Sequence, residues 1–139
     1  MTLQTQKRWL RVSALVIGGF APFLLLATIP ATAGPAGWVI DLLGLPLDGT
    51  VSLASPEARF LCGLMAGFLA GWAATVWLLS GAPFDAAPEA VRRAVVGGAL
   101  LWLVIDSAGS ILSGHASNAI FNIVVLALAV GPLWRRADA

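Results

Sequence analysis

Apolar positions along the chain fall into four long runs separated by polar or basic breaks. The first, "LRVSALVIGGFAPFLLLATIP", covers Leu10 to Pro30 and follows Lys7 and Arg8. Its central Pro22 kinks a helix without forbidding it, because neighbouring helices and local backbone adjustment re-satisfy the freed carbonyl. The second run, Phe60 to Leu79, is announced by "SPE", with Ser55 as N-cap, Pro56 in the first helical position and Glu57 complementing the helix dipole. The third, Ala94 to Leu112, is entered through Arg92 and Arg93. "SGHAS" then makes a short turn, and the fourth run, "NAIFNIVVLALAVGPLW", ends at Trp134 before Arg135 and Arg136. Each run suits a span of about 20 residues. The expected fold class is therefore all-α: an integral membrane four-helix bundle with a short extracytoplasmic interfacial segment. The spans lie near 10–30, 57–79, 93–113 and 118–134, with an outer loop at 31–56 and an inner loop at 80–92, all in a single transmembrane domain of residues 1–139.

Composition strengthens this picture. Of 139 residues, 59% are hydrophobic and 11% charged, against about 25% charged in soluble domains. The net charge of +1 supplies no field to attract nucleic acid. Arginine far outnumbers lysine, and Ala, Gly and Leu are abundant, a composition resembling translated GC-rich bacterial DNA. The lone Cys62 rules out an internal disulfide and a multi-cysteine metal centre.

Charge placement gives an orientation. Lys7, Arg8, Arg11, Arg92, Arg93, Arg135 and Arg136 fall on one side of the four spans and Arg59 on the other, so both termini are expected in the cytoplasm, at a bacterial inner membrane. Trp9 and Trp134 suit an interfacial belt, whereas Trp38 and Trp102 fit it less well. A cleavable signal peptide competes for the first run, since a basic start and "ATA" at Ala31 to Ala33 match its outline; the apolar region is long for one, and retention is expected. In the outer loop, "GWVIDLLGLPL" is apolar but too short to cross, suiting a brief helix or turn on the outer surface with Trp38 at the interface. It reads as a shielding linker, with a lid over the helix tips as the alternative.

Two features stand out inside the spans. Gly63, Gly67 and Gly71 recur every fourth residue, a stripe without bulk that lets another backbone approach. Contact within the chain is the expected use, and a dimer interface is the alternative. Asp106 lies roughly 10 Å from the outer end of its span, where an ionised carboxylate costs about 2.5 to 3.5 kcal/mol to insert. It should face the bundle and find donors or stay protonated. Ser110 and Ser113 follow on the same helix, and the turn at His115 brings Asn118 and Asn122 back to similar depth. Asp106, Ser110, Ser113, Asn118 and Asn122 thus form the expected polar cluster, either a clasp between the last two spans or a proton or cation relay. His115 lacks the further ligands a metal needs, and "GSILSG" lacks the "GxSxG" spacing of a nucleophilic serine.

Taken together, "WVIDLLGLPLDG", "EARFLCGLMAGFLAGW" and "DSAGSILSGHASNAIFN" resemble uncharacterised small four-span bacterial membrane proteins over most of the chain, a resemblance that implies no activity and no functional residue. Small multidrug transporters share the span count but rely on an acidic residue in the first span, and Leu10 to Pro30 has none. The expected role is a non-enzymatic packing, assembly or accessory subunit, with no catalytic residue, metal or cofactor. Its expected partners are membrane lipid and a second copy or another membrane protein, and no nucleic acid. The competing class is a small oligomeric transporter or channel using Asp106 as an intramembrane proton or cation site.

Overall fold

The computed structural model describes residues 1–137 and contains no β-strand among them. Helix α1 (Leu3–Gly18) starts earlier than its apolar run, because Thr2 accepts the Thr5 N–H at 3.2 Å and caps it. α2 (Ala21–Leu26) continues the same path after a break at Gly19 and Phe20, with Pro22 in its first turn. There the missing N–H of Pro22 costs no helical bond, so the run divides into two helices instead of bending around an unpaired carbonyl. α3 (Gly34–Gly44) lies in the long connection between α2 and α4, and α4 (Pro56–Leu79) starts where Ser55 Oγ accepts the Ala58 N–H at 3.1 Å. A short α5 (Ala82–Ala86) leads into α6 (Pro88–Leu112), and a tight turn with Gly114 at φ +85° connects α6 to α7 (Ala116–Val130). The chain closes with a 3-10 turn at Gly131–Trp134.

Four stretches, Leu3–Leu26, Pro56–Leu79, Pro88–Leu112 and Ala116–Trp134, are long and apolar enough to cross a membrane. A 24-residue helix is roughly 36 Å long, more than a hydrocarbon layer of about 30 Å. α6 packs along α7, α7 against α1, and α1 against α4, while backbone approach between α4 and α6 is sparse at most. They meet through Trp72 and Trp102, whose ring centroids are 6.2 Å apart. The main core follows helical spacing: Leu10, Ala14 and Ile17 of α1, Val91, Val95 and Ala99 of α6, and Leu126 and Val130 of α7. Outside it, Phe60, Leu78, Leu101, Ile105 and Ile120 are exposed.

The glycine stripe does not pack as expected. Gly63 approaches Thr28, but Gly67 and Gly71 are exposed, with nothing within 4 Å of where a Cβ would stand. The face of α4 that packs against its neighbours is instead Cys62, Ala66, Leu69, Ala73 and Val76. That face is offset by one residue, about 100°, from the glycines, and spacing within α4 cannot say which of two small-residue stripes turns inward. Close approach to α1 uses Ala73, whose Cβ lies 2.9 Å from where a Cβ of Gly18 would be.

Polar bonds tie the two ends. Near the chain termini, Glu89 accepts from Arg92 and Arg93 at 2.7–2.9 Å and pairs with Arg136 at 3.3 Å, while Arg92 also donates to Leu133 O. Lys7 pairs with Asp85, Gln6 donates to Arg135 O, and the fully buried Ser13 bonds the carbonyls of Trp9 and Ala129. At the opposite end, the buried Asp41 accepts the Gly49 N–H at 2.8 Å, and the Thr50 hydroxyl and N–H hold the Asp48 carboxyl below its usual range.

Gly131 has φ +38°, and a Cβ there would run into the Trp9 ring. Gly131→Ala should therefore destabilise the protein by about 1–3 kcal/mol. Gly67→Ala, facing open space, should stay within about 0.5 kcal/mol. Unfolding in detergent-lipid mixtures, followed by circular dichroism, checks the pair.

Candidate functional site

The α6–α7 turn sets the site. Because Gly114 adopts a left-handed conformation, the chain reverses within a few residues and His115 N–H returns to Ser110 O at 2.8 Å. The reversal places α7 antiparallel to α6, with Asn118 and Asn122, one turn apart, facing the α6 residues of matching depth.

Asn118 Nδ2 donates to Asp106 Oδ2 at 3.0 Å and to Ser110 Oγ at 2.8 Å. Asn122 Nδ2 donates to the same Asp106 oxygen at 2.6 Å and to Ser107 Oγ at 3.1 Å. Ser110 spends its own proton on Asp106 O, one turn back, at 2.8 Å. Both amides turn their nitrogens toward Asp106 and their oxygens away. Asp106 Oδ1, Asn118 Oδ1 and Asn122 Oδ1 consequently receive no donor among the described residues. They also keep accessible surface, since the fully occluded side-chain nitrogen or oxygen without a partner is Trp9 Nε1.

These residues line a chamber of about 170 Å³ between the helices. Phe20 and Phe23 wall it from the α1–α2 side, Trp72 from α4, Trp102 from α6 and Phe121 from α7. Ala36, Val39, Ile40 and Leu43 of α3 form its roof, so α3 is folded onto the bundle. Ser117 of α7 fastens that roof by donating to Leu43 O at 2.9 Å, and His115 lies close against Gly44, its Cδ2 3.0 Å from where a Cβ would stand. Asp106 is the one charged or titratable side chain among the lining residues.

The structure thus brings Asp106, Ser110, Asn118 and Asn122 together and leaves Ser113 outside. Ser113 is exposed, donates to Ser110 O and lies 3.3 Å from His115 Nδ1. It follows Asp106 by seven residues, close to two turns, but falls where α6 ends, and the reversing chain carries α7 away from it. Ser107 belongs to the cluster and was not singled out from sequence; its position beside Asp106, fifteen residues before Asn122, was the available signal. The aromatic walls were also missed, although Trp102 sits inside a span instead of at its end. Among the described residues, no three His, Cys, Asp or Glu side chains gather to hold a metal. No known protein family, curated protein or solved structure matches the chain.

Removing Asn118 takes two of these bonds from the helix pair, whereas removing the Ser113 hydroxyl takes none from it. Interhelical hydrogen bonds in membranes average about 0.6 kcal/mol and reach about 1.7. Asn118→Ala should cost roughly 1 kcal/mol and Ser113→Ala less than about 0.5 kcal/mol in reversible unfolding from bicelles. Equal costs would contradict the assignment.

Proposed function

We propose that this chain is a multi-pass protein of a bacterial inner membrane, with both termini cytoplasmic, acting as a small non-enzymatic packing, assembly or accessory subunit. The observation that carries this reading is the sorting of polar from apolar groups. Large apolar side chains stand outward along all four long helices, while Asp106, Asn118 and Asn122 turn toward one another. In water this arrangement would expose an unusually large apolar surface; in lipid it is the expected solution. The gathering of Lys7, Arg92, Arg93 and Arg136 at one end supports cytoplasmic termini. The half-exposed Trp38 on α3 suits an interfacial segment on the other side. Among the spans' polar groups, hydrogen bonding between α6 and α7 fixes the helix pair that a partner helix would meet.

A specific observation favours a second reading, an intramembrane proton or cation site. No lysine, arginine or histidine lines the chamber beside Asp106, so a cation that neutralises it comes from outside the chain. Asp106, which keeps one carboxylate oxygen without a donor among the described residues, lines the chamber where such a cation would sit.

Asp106→Asn separates the two. Its amide oxygen still accepts from Asn118 and Asn122, so a packing subunit keeps its fold, its membrane insertion and whatever protein co-purifies with it in mild detergent. Under the second reading the folded variant loses pH-dependent cation flux in vesicles that the wild-type protein shows. Collapse of the variant contradicts the clasp, and flux unchanged by the substitution removes the cation site.

A further inference from the structure

The chamber has the chemistry of a receptor for an organic cation, and this inference rests on the second reading above. Its amide donors are used up: the Asn118 and Asn122 nitrogens each make two bonds, and beside them the Ser110 hydroxyl is committed to Asp106 O. Its acceptors are not, since Asp106 Oδ1, Asn118 Oδ1 and Asn122 Oδ1 have no donor among the described residues. Asn122 is only 4% exposed, so what surface its unused amide oxygen keeps opens into the chamber it lines. What is missing is a group that donates several hydrogen bonds and carries positive charge.

The rest of the wall selects the body of that molecule. Phe20, Phe23, Trp72, Trp102 and Phe121 contribute aromatic rings to the lining, a kind of wall that attracts a cation and accepts apolar surface. A hydrated metal ion would hold waters that these faces cannot bond, and three oxygens fall short of the six or more that a calcium ion takes. An acyl chain would leave the free oxygens unsatisfied. The volume of about 170 Å³ is close to that of an engineered cavity of about 150 Å³ that admits benzene. A way in lies beside α4, where the lining residue Met65 is 44% exposed.

We propose that the chamber binds a small protonated primary amine with a compact aromatic or aliphatic body, its ammonium group donating to the free oxygen of Asp106. The test uses the full-length protein in lipid nanodiscs, with calorimetric titration of benzylammonium chloride, benzyl alcohol and toluene and with empty nanodiscs as control. Benzylammonium should bind saturably with one molecule per chain, and tighter than either neutral isostere. Asp106→Asn should weaken benzylammonium by about tenfold or more, the loss expected for one charge-assisted contact, while toluene binding stays unchanged. Val125→Trp, which fills the chamber from α7 without touching Asp106, should abolish binding of both. Circular dichroism and monodispersity establish that each variant is folded. The proposal is overturned if the folded wild-type protein does not bind benzylammonium, binds it no better than toluene, or binds it equally after Asp106→Asn. Asp106-dependent proton or sodium flux without amine binding overturns this inference alone and leaves the cation-site reading standing; amine binding without such flux supports the receptor and removes transport.

Discussion

One carboxylate oxygen receiving two amide N–H groups from the neighbouring helix is the contact on which the rest of this structure depends. An acid within an apolar helix that crosses a bilayer needs donors, because hydrocarbon supplies none. Asp106 finds them on α7 in Asn118 and Asn122, and meeting them fixes three things together: the rotation of α6, the register of α7, and the antiparallel hairpin that joins them. Each such bond contributes little net energy, about 0.6 kcal/mol on average. Its role is to choose among packings of similar apolar content, since any rotation that hid the amides elsewhere would strand the carboxylate.

The same choice makes the chamber. With Asp106 directed inward, Trp102 one turn earlier also faces the interior and meets Trp72 across the bundle. These bulky rings hold α4 and α6 apart, and small residues elsewhere, Ala99 and Ala129 among them, leave space between the walls. The division of the first span at Pro22 turns Phe20 and Phe23 toward that space, and α3 covers it from above. Polar recognition and an apolar cavity therefore arise from one helix orientation.

Much of this was legible in the chain itself. Long apolar runs locate the four helices because length and hydropathy are local properties, and "SPE" marks the start of α4 through capping chemistry that involves only adjacent residues. The meeting of Asp106 with Asn118 and Asn122 was readable because a tight turn at Gly114 converts sequence distance directly into depth. Where two distant elements meet, the sequence is silent. The inward face of α4 depends on α1, and so Gly67 and Gly71, attractive by spacing, lie outside the packing while Ala66 and Ala73 are used. The roof formed by α3 and the aromatic walls depend on five helices at once, which no periodicity within one of them encodes.

A double-mutant cycle between Asp106 and Asn122, using leucine at each position and unfolding measured in bicelles, tests the central contact most directly. Each single change should destabilise the protein, and the double change should cost less than the sum of the two by about 0.6–1.7 kcal/mol, the range of interhelical hydrogen bonds in membranes. Additive costs, with no coupling between the two positions, would contradict the account.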